Sequence, residues 1–190
     1  QVRAGAPEAE ELEHVKRRLA RAQDLAQALA SFGELDAEEA RQPLDLLDVV
    51  KTVAAPIGMR AEAAEVTLVV EPAEPGVRVP AQAPPKSASF VVREILAQAV
   101  AATPRGGTVR VSAGADVLGP RVVVDDGGTA LAASARRAFL GLDIDPGAHG
   151  RPSAIPLSVA AEVAQCHGAM LELSDSPLGG LRVSVVFPRR

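Results

Sequence analysis

Residues 94–112, Glu-Ile-Leu-Ala-Gln-Ala-Val-Ala-Ala-Thr-Pro-Arg-Gly-Gly-Thr-Val-Arg-Val-Ser, constrain this chain more than any other stretch. They read as an apolar helix, a Pro/Gly turn and a β-branched strand. Glu94 and Gln98 are the polar exceptions on that helix, and groups four residues apart share one helical face. Both are therefore candidates to point into one cleft. A helix apolar nearly all round must be buried, so the domain has to be built around it.

The flanking pattern extends the same architecture. Residues 44–58 form an amphipathic helix through Leu47, Val50, Val53, Ala54 and Ile57. Strands are expected at 66–71, 77–80, 108–113, 121–125, 170–174 and 181–187, the last two joined around Gly179-Gly180. Further helices are expected at 87–102, 130–140 and 155–167, the last closed by Gly168, with a Gly/Pro-containing loop over 143–153. The sum is an α+β fold in two layers, a mixed sheet with helices on one face. Ahead of it, residues 8–32 repeat apolar positions at Leu12, Val15, Leu19, Ala22, Ala26 and Leu29 in steps of three and four. That seam is about three heptads long, too short to be stable without a partner helix. Residues 1–42 are accordingly assigned to a dimerisation-type helix and linker, and 43–190 to the α+β domain.

Composition removes several function classes. The chain has no Trp or Tyr and only four Phe, and its net charge is −4. Base stacking and duplex binding both lack their usual residues, so no nucleic-acid partner is expected. The single Cys166 excludes an internal disulfide and fits a reducing compartment; it reads as a small buried apolar residue. No apolar run approaches the roughly 20 residues that span a bilayer, and no signal peptide is visible. A soluble, cytoplasmic chain is the expectation. Its three histidines, at positions 14, 149 and 167, make no metal-ligand spacing with Cys166.

The order of elements resembles the ATPase domain shared by sensor histidine kinases, gyrase-type topoisomerases and heat-shock chaperones (the Bergerat fold). The resemblance covers residues 9–188, through Phe32-Gly-Glu-Leu35, Pro43-Leu-Asp-Leu-Leu47 and the closing Val186-Phe-Pro188. In that family the helix carries Asn-x-x-x-Asn, or Glu-x-x-x-Asn in the gyrase branch, often followed by Thr-Pro-x-Gly-Gly. The resemblance implies that Gln98 stands where an asparagine holds Mg²⁺, and Glu94 where the gyrase branch has a water-activating glutamate. Gln98 is one methylene longer, and Mg²⁺ tolerates misplaced ligands poorly. Ala101-Ala102 stand where the family has a lysine and a ring.

Asp125-Asp-Gly127-Gly-Thr129 resembles the family's Asp-x-Gly-x-Gly box. In this register Asp125 is the acceptor for an adenine amino group, Gly127 the first glycine, and Thr129 the replacement of the second. The third box, Gly-x-Gly-Leu-Gly-Leu in the family, reads Gly150-Arg-Pro-Ser-Ala-Ile-Pro-Leu157 here. Ala154 and Pro156 replace two glycines, and a proline has no N–H for a phosphate. Arg151 reads as a solvated loop arginine. The resemblance implies a degenerate kinase-like module of bacterial phosphorelay signalling, with no cofactor held tightly, and ATP and Mg²⁺ as the ligands of any surviving site. The implied partners are a second copy through residues 9–32, or a receiver domain. Two alternatives are an active ATPase or kinase using Glu94 as base, and a phosphotransfer protein using His14. Val15 and Leu19 replace the acidic residue and proline that follow phosphoaccepting histidines, so His14 reads as a solvated helix-face residue.

Overall fold

The computed structural model describes residues 39–188 other than 73 and 75, together with 15, 19, 22, 23, 26, 30, 33 and 35. Most of the expected N-terminal helix, His14 included, lies outside the described residues. The described positions from Val15 to Gly33 are helical and exposed.

A five-stranded mixed sheet forms one layer. Its strands are β2 (Thr67–Val70), β4 (Thr108–Ala115), β5 (Pro120–Asp125), β6 (Met170–Asp175) and β7 (Leu181–Val186), in the order β2-β4-β5-β7-β6. β2 runs parallel to β4 and the remaining pairings are antiparallel. A separate two-stranded sheet pairs β1 (Gln42–Asp45) with β3 (Pro80–Ala83). Four helices complete the domain: α1 (Leu46–Ala63), α2 (Pro85–Ala102), α3 (Ala133–Leu140) and α4 (Ile155–Cys166). A 3₁₀ turn, Pro146–His149, lies between α3 and α4.

The core forms because two periodicities meet. Val109 and Val111 on β4, Val122 and Val124 on β5, and Val183 and Val185 on β7 alternate toward the helices. Against them pack Ile57 of α1, Phe90, Ile95 and Leu96 of α2, and Leu157 and Ala160 of α4. With so few rings, β-branched and Leu side chains supply nearly all the buried surface. The α2 helix is apolar almost all round because α1, α4 and the sheet enclose it.

Several boundaries differ from the expectation. α1 continues through Pro56 to Ala63, beyond the expected end at Gly58. The expected strand at 77–80 is displaced to Pro80–Ala83, where it pairs with β1, a strand the pattern did not announce. Cys166 is exposed rather than buried, since it falls at the solvent side of the last turn of α4.

Candidate functional site

The C-terminal end of α2, the loop after β5, the turn before β7 and the segment leading into α4 converge on one carboxylate, that of Asp126. Its position follows from strand parity. Val122 and Val124 face the helices, so the next residue of that parity, Asp126, does as well. Asp126 Oδ1 accepts from the backbone N–H of Gly128 (2.9 Å) and of Leu181 (3.0 Å). The Asp126 N–H in turn donates to Leu181 O (3.0 Å). The glycines here permit contacts that a side chain would block: a Cβ on Gly128 would lie 2.3 Å from Ala102 O at the end of α2. Thr103, just beyond α2, locks the same corner, donating from Oγ1 to Ala99 O (2.8 Å) and accepting from Gly127 N–H (3.3 Å).

Arg151 fills the space beside Asp126. The two side chains are each 1% exposed and ion-paired, Nη2 to Oδ2. Nη1 donates to Thr129 O (2.5 Å) and, at 3.4 Å, reaches Asp126 Oδ1. The expectation of a solvated loop arginine is therefore corrected: burial of the guanidinium is compensated by a carboxylate and a carbonyl. Its Nε is buried without a hydrogen-bond partner.

The residues singled out in the sequence are only partly brought together. Gln98 is buried on α2 and donates from Nε2 to Ser153 O, tying the helix to the segment before α4. Glu94, on the same face, pairs with Arg93 Nε (3.1 Å), whose guanidinium lies 5.2 Å from the centre of the Phe90 ring. Gly127 joins the Thr103 corner, and Thr129 contributes its carbonyl to Arg151. Asp125 goes elsewhere. It pairs in register with Arg182 of β7 and accepts two bonds, from Nε (2.8 Å) and Nη2 (2.9 Å). Arg182 belongs to the open face of the sheet, beside Ser112, Val123, Glu172 and Ser184, opposite the helices. The hydrogen bonds that Arg182 donates to Asp125 raise its pKa, outweighing the partial burial that lowers it. Asp126 was the residue missed, and the signal for it was the alternation Val122, Val124, Asp126.

The segment into α4 bears on anion binding. Ala154 is the helix N-cap and Pro156 sits in the first turn. The Ile155 N–H donates to Ser153 Oγ (3.3 Å), and Pro156 has none to offer.

No family model matches this chain. The sensor protein kinase CarS of Pseudomonas aeruginosa is 42% identical over 72 residues, covering 36% of this chain and 15% of that protein. Among solved structures, the ATP-binding domain of PrrB from Mycobacterium tuberculosis aligns with 80% of this chain and 98% of its own, at TM-score 0.62 and 21% identity. The cytoplasmic segment of histidine kinase QseC aligns over 90% and 94%, at TM-score 0.59 and 21% identity. Full-length ShkA in complex with AMPPNP aligns with all of this chain and 40% of its own, at TM-score 0.66 and 16% identity. The chain has the fold of a histidine-kinase ATP-binding domain. In that Bergerat-type fold the helix layer carries Gln98 and the end of β5 carries Asp126, with residues 151–153 bonded to both. Among the described residues, no helix of this domain is long and apolar enough to cross a membrane.

Proposed function

We propose that this chain is a regulatory or protein-interaction module of bacterial two-component or phosphorelay signalling, binding Mg·ATP weakly or not at all. The observation that carries the reading is the start of α4. A phosphate cradle at a helix N-terminus needs free backbone N–H groups. Here the Ile155 N–H is engaged by Ser153 Oγ and the next residue is Pro156. Gln98, in the place of the family's metal-holding asparagine, is one methylene longer, and its Nε2 donates to Ser153 O, which ties the side chain to the segment before α4. On this reading the engaged Ile155 N–H and the missing N–H of Pro156 make the start of α4 a poor fit for a magnesium–triphosphate group.

The sequence kinship to a sensor kinase over 72 residues supports the signalling context. On this reading the domain acts through its surfaces: the exposed helical positions within 9–32 recruit a second copy, or the module engages a receiver domain. Isothermal titration of the whole chain with ATP and Mg²⁺ tests the central claim. No saturable heat at micromolar protein and ligand is expected, and micromolar affinity would overturn the proposal.

A further inference from the structure

We propose that Arg151 is an intramolecular ligand of the Asp126 pocket, and that segment 150–153 is a latch holding that pocket shut. The inference rests on the reading above and goes beyond it: the space beside Asp126 is occupied by the chain itself, and the occupant is removable.

Three observations support an occupant rather than a core strut. First, the chemistry matches an exchangeable ligand: Asp126 meets a flat group bearing N–H donors, and a guanidinium is such a group. An aminopurine presents one N–H edge to the same oxygens. Second, the fit is incomplete. Arg151 Nε is buried with no partner, and a buried donor left unsatisfied carries its full desolvation cost. A better-matched group would avoid that cost. Third, residues 151–153 belong to no helix or strand, and the segment joins the hydrophobic core only at Ala154, the N-cap of α4. Gly150 turns it with φ of 63°, the Arg151 N–H donates to Pro146 O (3.0 Å), and Ser153 O accepts from Gln98. Asp126 is also held by bonds that do not involve Arg151, since the Gly128 and Leu181 N–H groups donate to Oδ1. The pocket therefore keeps its acceptor when the arginine leaves.

Adenosine is the probe, since it carries the amino-heterocycle without the phosphates that α4 is poorly built to receive. Titration would compare the wild type, R151A and the double variant R151A/D126N. The double variant removes the charge that R151A leaves buried and unpaired, while Asn keeps an acceptor oxygen for the amino group. The wild type is expected to show no adenosine binding to millimolar concentration. At least one folded variant is expected to bind ten-fold or more tightly and to gain thermal stability with ligand. Folded variants that bind no better than the wild type would overturn the latch and leave the proposed function standing. Loss of the folded state in both variants would also overturn it, because Arg151 would then be a strut of the core. Micromolar Mg·ATP binding by the wild type, with a further gain in R151A, would overturn the proposed function alone.

Discussion

Asp126 Oδ1 is a meeting point for three segments, accepting from Gly128, Leu181 and Arg151. Such density leaves no room for substitution nearby. A Cβ on Gly180 would lie 2.0 Å from that oxygen, 2.5 Å from Asp126 O and 2.7 Å from Gly128 N. Two of those atoms are backbone and cannot swing aside. Gly180→Ala is expected to cost about 1–3 kcal/mol or more, read as a lowered urea midpoint. Gly114→Ala, on a strand with nothing within 4 Å of the added atom, is the control and should stay within about 0.5 kcal/mol. The two neighbouring aspartates show how far residue-level reading reaches. The pair Asp125-Asp126 was legible as a strand-end carboxylate motif, but motif spacing alone put the acceptor at Asp125. Side-chain parity sends Asp125 to Arg182 on the open face and Asp126 to the helices.

At the scale of elements, the linker before β1 clasps two helix ends by opposite charge. The Glu39 carboxylate accepts from the N–H groups of Lys86 (3.1 Å) and Ser87 (3.4 Å) at the start of α2. Arg41 donates to His167 O (2.8 Å) at the end of α4. Each charge opposes the helix dipole it meets. Because Pro84 and Pro85 open α2 without a side-chain cap of their own, Glu39 is its cap from a distance. Glu39→Ala should cost about 1 kcal/mol and speed amide exchange at Lys86 and Ser87; unchanged exchange there would show the contact to be idle. Helices were the most legible elements, since α2 and α4 carry unbroken apolar faces and Gly168 marks a stop. β1 was missed because Gln42-Pro-Leu-Asp45 is four residues long, includes a proline and has no alternating pattern of its own. Its partner β3 supplies the reason it exists.

For the whole molecule, the exposed apolar positions ahead of the domain set the question of assembly. Val15 and Leu19 are 59% and 58% exposed, with Ala22 and Ala26 open on the same helical seam. On the proposed reading a second copy covers them. Light scattering at micromolar concentration should report a dimer for the wild type and a monomer for Leu19→Glu, and a monomeric wild type would remove this part of the proposal. The sequence by itself determined the two-layer α+β architecture, because apolar periods of 3.6 and 2 leave one way to bury both faces. It also showed that Pro156 has no N–H to offer, a local covalent fact. The alternation Val122, Val124, Asp126 carried in the sequence which aspartate faces the helices, and only the tertiary structure decided that Arg151 lies buried against it. That burial depends on a loop closing over a residue 25 positions away, a separation at which no periodicity carries information.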